Sequence, residues 1–194
     1  MKKLGIIASH RGTNFQAIMD ACDDGRLKAK VVIAISNNSQ SEALARAKRA
    51  GIETRHISGL THPTDSAQDR AIQQALSAAE VDWVVTAGYM KKLGHETLAT
   101  FKQRIINVHP SLLPKYGGQG MYGHKVHDAV LENGDTETGL TVHLVDGEYD
   151  TGPILSQRSV KVHDDDTAST LASRVLAEEH ELLVQTLIGL VECN

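Results

Sequence analysis

Short apolar runs alternate with longer amphipathic stretches through the first half of the chain. The run from Leu4 to Ser9 predicts a strand, and a helical period follows from about Asn14 to Asp24. The next pairs are a strand over Lys30 to Ser36 with a helix across Ser41 to Ala50, and a short strand over Thr54 to Ile57 with a helix from about Asp65 to Ala79. Val81 to Thr86 predicts a fourth strand, Leu93 to Phe101 a helix, and Arg104 to Val108 a fifth strand. The strands are continuous and rich in β-branched residues rather than alternating. That pattern predicts an α/β fold, a parallel sheet with right-handed crossovers and helices on both faces.

The second half changes character. A Gly-rich segment, Gly117 to Gly123, precedes a helix over about Lys125 to Asn133. Thr138 to Val145 alternates as a half-buried strand does, and Ile154 to Val162 predicts another, so the sheet is expected to end in a mixed, antiparallel edge. A long helix opens at Thr167, with Asp164, Asp165 and Asp166 before it as charge complementing the helix dipole. No internal repeat, low-complexity segment or linker interrupts this order, so residues 1–194 are expected to form one domain.

Composition narrows the functional classes. The hydrophobic fraction of 41% and charged fraction of 23% are those of a globular chain, and 194 residues are enough for a substantial core. A net charge of −4 gives no support to broad binding of nucleic acid or anionic membrane, while a local basic patch for one phosphate stays open. The two cysteines, Cys22 and Cys193, form no disulfide framework and suit a reducing compartment. No apolar run approaches the roughly 20 residues of a membrane span. The start, Met1 to Ile7, is too short in apolar length for a signal peptide and is interrupted by His10 and Arg11, so it reads as a first strand of a cytoplasmic protein.

Several segments carry chemistry. Ser9-His10-Arg11-Gly12-Thr13-Asn14 joins the first strand to the first helix, where free N–H groups and the positive helix end favour an anion. The plainer reading is an ordinary turn in which Thr13 or Asn14 caps the helix. It is not a P-loop, because GxxxxGK[ST] is absent. Gly118-Gln119-Gly120-Met121-Tyr122-Gly123 matches GxGxxG by letter but sits mid-chain and follows no strand, so it reads as a loop, either structural or able to close beside a site. His124 and His127 are expected to be solvated histidines at a helix start, since no third metal ligand has convincing spacing. His143, in an alternating strand, is read as a core or rim histidine bonded to a neighbour. Lys91 and Lys92 read as a solvated pair.

The run Asn107-Val108-His109-Pro110-Ser111-Leu112-Leu113-Pro114 ends a strand on two prolines. Asn107 and His109, two residues apart, point the same way, so a carboxamide donor and an imidazole could polarise a carbonyl and move a proton. Alternatively Asn107 ends the strand and His109 is a satisfied loop histidine. Asp146-Gly147-Glu148-Tyr149-Asp150 is by itself an acidic turn; at the same sheet edge as His109 it would orient the ring and raise its basicity.

Together these segments resemble the folate-dependent glycinamide ribonucleotide formyltransferases of purine synthesis over nearly the whole chain. The resemblance rests on residues 9–18, on Ala87-Gly88-Tyr89-Met90-Lys91-Lys92-Leu93, on residues 107–114, and on Gly139 to His143 followed by Asp150-Thr151-Gly152-Pro153-Ile154. It implies a Rossmann-like formyltransferase fold and a transfer from 10-formyltetrahydrofolate to the amine of 5-phosphoribosylglycinamide, without a metal. Asn107, His109 and Asp150 match the catalytic set. A protonated His109, held charged by Asp150, and the Asn107 N–H would stabilise a tetrahedral oxyanion. Arg11, Gly12, Thr13, Asn14, Phe15, Gln16 and Glu179 match the ribonucleotide side. Met90, Lys91, Lys92, Leu93, Asn107 and Asp146, Gly147, Glu148, Tyr149 and Asp150 match the folate side. Asp65 stands in a segment where many members place a folate-contacting Arg, and the Gly117–Tyr122 stretch is longer and richer in Gly than in some.

Relatives with other activities frame the alternatives. Methionyl-tRNA formyltransferases carry a further C-terminal domain, and formyltetrahydrofolate hydrolases an N-terminal regulatory one. Neither is expected from a chain whose first strand starts at Leu4 and whose last residue is Asn194. A non-catalytic folate- or nucleotide-binding module would have no need to combine Asn107, His109 and Asp150. Small-molecule substrates and a monomer or homodimer are the expected partners.

Overall fold

Seven strands lie in the order β3-β2-β1-β4-β5-β6-β7 in a computed structural model that describes residues 1–192. They are β1 (Lys2–Ile7), β2 (Ala29–Ser36), β3 (Glu53–His56), β4 (Trp83–Thr86), β5 (Ile105–His109), β6 (Glu137–Leu144) and β7 (Ile154–Lys161). The helices are α1 (Thr13–Asp23), α2 (Glu42–Arg49), α3 (Asp65–Ala78), α4 (His95–Thr100), α5 (His124–Glu132) and α6 (Ala168–Glu192). Strands β1 to β5 pair in parallel, and β5–β6 and β6–β7 pair antiparallel. The predicted α/β architecture, mostly parallel with an antiparallel C-terminal edge, is the one observed. Cys193 lies outside the described residues.

Each face of the sheet buries its own core. Leu4, Ile6, Val85, Ile106, Val108 and Val142 face α1, α2 and α6, while Ile7, Ile33, Ile35, Val84 and Ile105 face α3 and α4. Alternate residues of one strand therefore enter opposite cores, which is why the inner strands such as β4 and β5 are largely apolar while the edge strand β3 is polar. The chain leaves β1 toward β2 on one side and returns to β4 on the other. The crevice at the carboxyl ends of β1 and β4 is thus a topological switch point, where open α/β sheets bind ligands.

Local chemistry sets the helix starts. Ser41 Oγ accepts from Leu44 N at 3.3 Å and Thr64 Oγ1 from Ala67 N at 3.1 Å. Asp65 follows Thr64 in the first turn of α3, exposed, where it complements the dipole and lies away from the site. Thr167, not the acidic run, caps α6: its Oγ1 accepts from Thr170 N, while Asp166 accepts from His163 N, the Thr170 hydroxyl and Arg174 and so braces the segment before the helix. The start of α1 differs from expectation. Neither Thr13 nor Asn14 caps it; Gly12 does, at φ 66°, with no side-chain bond. A Cβ on Gly12 would lie 2.8 Å from Ala43 Cβ, so this turn needs glycine for both conformation and space.

Candidate active site

A cavity of about 580 Å³ opens at the carboxyl ends of β1, β4 and β5. Its floor is a polar row across three strands. Thr86 of β4 pairs in register with Asn107 of β5, which pairs with His143 of β6. The neighbouring row, Val85 and Ile106, is apolar and belongs to the opposite core. Thr86 Oγ1 donates its single hydrogen toward Ile106 O (3.1 Å) and Asn107 Oδ1 (3.0 Å). That leaves the Asn107 amide nitrogen turned to His143 Nε2 at 3.2 Å, with a second N–H free to face the cavity. His143 Nδ1 lies 2.9 Å from Leu144 O, a pure acceptor, so Nδ1 carries the hydrogen and Nε2 accepts from Asn107.

His109, the last residue of β5, is 4% exposed. Its Nε2 donates to Tyr116 O at 2.8 Å, and its Nδ1 lies 3.4 Å from Asp150 Oδ2. Asp150 Oδ1 is 3.5 Å from His143 Nε2, and Oδ2 accepts from Gly118 N at 2.9 Å. Asp150 has φ 59°, a backbone conformation side-chain-bearing residues rarely adopt. His109 and Asp150 thus lie side by side, Asn107 is linked to Asp150 through His143, and all three line the cavity.

The protonation balance differs from expectation. Burial pushes His109 below its ordinary value, and the Asp150 charge and Tyr116 carbonyl oppose this without overcoming it. Asp150 therefore does not by itself hold the ring charged in the ligand-free protein. Asp150 in turn lies below the usual carboxylate value: burial raises it, but the neighbouring His143 and His109 rings and the Gly118 N–H together outweigh burial.

On the other flank, Asn14 Nδ2 donates to Glu179 Oε2 at 2.9 Å, joining α1 to α6. Burial pushes Glu179 up to about 7, and the Asn14 bond opposes it. Asn14 Oδ1 is buried without a hydrogen-bond partner and sits on the cavity wall, where a donor from a ligand would satisfy it.

Of the residues expected on the ribonucleotide side, Arg11, Asn14 and Glu179 line the cavity. Gly12 and Thr13 shape the turn behind them without lining it. Phe15 does not belong there: it is fully buried in the core, the first apolar anchor of α1. Gln16 is also turned away, accepting from Arg46 Nη1 at 2.8 Å and donating to Asp20. On the expected folate side, Met90, Lys91, Lys92, Leu93, Asn107, Gly147, Glu148, Tyr149 and Asp150 line the cavity. Asp146 instead braces its own loop through Glu148 N and Thr151 Oγ1. Lys92 Nζ meets Glu148 Oε2 at 2.7 Å, bridging the two folate-side loops.

Residues 118–123 of the Gly-rich loop also line the cavity. His127 corrects the reading of a solvated helix-start pair: it is 3% exposed on the cavity wall, pushed down to about 4 by burial, with Nδ1 lacking a hydrogen-bond partner. His124 is exposed as expected. Among the described residues, no group of three His, Cys, Asp or Glu is placed to hold a metal ion. Thr86 and His143 escaped the choice of site residues. Their signal was cross-strand register with Asn107, which needs the sheet order.

Residues 2–187 match the family described as "Formyl transferase". The chain is 40% identical over 98% of its length to the "Phosphoribosylglycinamide formyltransferase, chloroplastic" of Arabidopsis thaliana, and spans 66% of that relative. It is 37% identical to the phosphoribosylglycinamide formyltransferase of Haemophilus influenzae, over 94% of this chain and 84% of that protein. The crystal structure of phosphoribosylglycinamide formyltransferase from Bacillus halodurans superposes with a TM-score of 0.91 at 34% identity, covering 98% of this chain and 95% of that one. With a family match over nearly its full length, the chain belongs to the formyl transferase family.

Proposed function

We propose that the protein transfers the formyl group of 10-formyltetrahydrofolate to the glycinamide amine of 5-phosphoribosylglycinamide, a step of purine biosynthesis. The observation that carries this reading is the meeting of Asn107, His109 and Asp150 at one wall of a cavity whose other wall is Arg11, Asn14 and Glu179. A formyl donor on the first side and a phosphorylated, hydroxyl-bearing amine on the second would bring their reacting atoms together between them. The names and coverage of the relatives support the same assignment. We read the protein as a cytoplasmic enzyme of small molecules, a monomer or homodimer; among the described residues no helix is long and apolar enough to cross a membrane.

The chemistry follows from the donors. The amine attacks the formyl carbon, and negative charge develops on its oxygen. The free Asn107 N–H faces that charge without rearrangement, because Thr86 and His143 already fix the carboxamide. Removing one such preorganised donor typically costs roughly 2.7–4 kcal/mol of barrier. His109 supplies the second donor. It is mostly neutral when the cavity is open, and the developing oxyanion favours its charged form. Asp150, a carboxylate held ionised beside the ring, stabilises that imidazolium and relays the amine proton toward the departing folate nitrogen through an ordered water.

The test is a spectrophotometric assay of cosubstrate consumption with and without the ribonucleotide. Consumption that requires phosphoribosylglycinamide supports transfer. Equal consumption without it would indicate hydrolysis, and none in either case would indicate a binding module.

A further inference from the structure

The His109 ring is gripped from the side opposite Asp150 by a carbonyl, and that carbonyl is held by a distant carboxylate. Tyr116 O accepts from His109 Nε2 at 2.8 Å. Tyr116 has φ 54°, a left-handed backbone that turns its carbonyl toward the ring and that non-glycine residues keep only where surrounding contacts impose it. Ser111 Oγ donates to Lys115 O and Gly117 N to Pro114 O within this segment, and the contacts of the Tyr116 side chain converge on Asp135, in the corner between α5 and β6. The Tyr116 hydroxyl donates to Asp135 Oδ2 at 2.8 Å, and Lys115 Nζ meets the same oxygen at 2.6 Å while lying 5.2 Å from the Tyr116 ring centroid. Asp135 is itself fixed, by Asn133 Nδ2 on Oδ1 at 2.8 Å and by its own N–H on Val130 O at 3.2 Å. Neither Lys115 nor Asp135 lines the cavity, and the mechanism above uses neither.

We propose that Asp135 is a positioning residue for His109, acting through Tyr116: the Asp135–Tyr116 bond holds the Tyr116 carbonyl on His109 Nε2 and thereby fixes the ring's tautomer and orientation. A carbonyl only accepts, so Nε2 must carry hydrogen, and Nδ1 is the nitrogen left to exchange a proton beside Asp150. The other titratable groups near the ring are Asp150, His143 from β6 and His127 from α5; Asp150 attracts its charge, His143 opposes it, and His127, pushed down to about 4 by burial, stays neutral. Loss of the carbonyl would leave burial and His143 acting against the proton, with Asp150 alone in its favour.

The tautomer statement stands without the formyl transfer reading; only its effect on rate rests on that reading. The experiment uses the full chain with ¹⁵N-labelled histidine, comparing Tyr116→Phe and Asp135→Asn with the parent, His109 being assigned from the His109→Ala spectrum. Both changes keep shape and leave the phenyl ring packed. In the parent, His109 is expected to show a protonated Nε2. In either variant the two tautomers should mix, and the titration midpoint should fall by more than half a pH unit. The kcat for formyl transfer should fall about tenfold while both KM values stay within about twofold. Combining the two substitutions should add nothing to either alone. His109 nitrogen signals and midpoint unchanged in both variants would overturn the proposal. Loss of transfer in the parent with the tautomer shift intact would instead overturn the functional reading alone.

Discussion

Glutamine in place of Glu179 should make the protein more stable above neutral pH, by an amount readable from the site. Glu179 is 8% exposed in the apolar stripe of α6, between Val175 and Leu182, and burial raises it from 4.5 to about 7. A folded-state value above the unfolded one means that the folded protein holds the proton more tightly. The associated stability is complete below about pH 4.5, is lost progressively as pH rises to about 7, and stays lost beyond. At about 1.4 kcal/mol per pH unit, the gap between 4.5 and about 7 corresponds to roughly 3 kcal/mol. The Glu179→Gln side chain does not titrate, can still accept from Asn14 Nδ2, and brings an N–H for the unpartnered Asn14 Oδ1. Urea unfolding of parent and variant at intervals from pH 4.5 to 8.5 isolates this one group, since the other titrations cancel. The difference in unfolding free energy should grow by about 3 kcal/mol across that range in the variant's favour. A difference constant with pH would refute the reasoning, because it would mean that Glu179 titrates alike in the folded and unfolded chains.

Further outcomes follow from the same geometry. His109→Ala should lower kcat by about a hundredfold or more with far-UV circular dichroism unchanged, since the ring sits at a strand end and not in either apolar core; an active variant would remove it from the mechanism. Asp150→Asn takes away the charge that raises His109, so the ring's titration, followed by NMR, should move further down and the rate at pH 7 should drop. Thr86→Val removes the hydroxyl that orients the Asn107 carboxamide. A hydrogen bond worth about 1 kcal/mol predicts a several-fold fall in kcat with KM unchanged, and a KM effect alone would contradict it. Arg11→Ala should raise the ribonucleotide KM more than it lowers kcat; an unchanged KM would place Arg11 in solvent.

Much of this was legible in the residues because local and global signals agree. Continuous apolar strands, polar helix faces and caps such as Ser41 and Thr64 point to one α/β order, and the strand and helix limits fall within a few residues of those expected. Asn107 and His109 were visible as a pair through strand alternation. What stayed hidden depends on contacts between distant segments. Phe15 sits in a binding motif, yet its side chain points into the core. A helix start is usually solvated, whereas His127 is buried on the cavity wall. Thr86 and His143 are unremarkable until β4, β5 and β6 are laid side by side. The protonation of His109 could not be read at all, because burial and Asp150 act in opposite directions and only the folded geometry sets their balance.

The most direct test of the account is to follow the formyl carbon. With ¹³C-formyl cosubstrate, phosphoribosylglycinamide and the protein, the label should appear in a formamide on the glycinamide nitrogen at the rate the cosubstrate disappears, and Asn107→Ala should slow both by about a hundredfold or more. Label appearing as free formate, or a rate indifferent to Asn107, would contradict it.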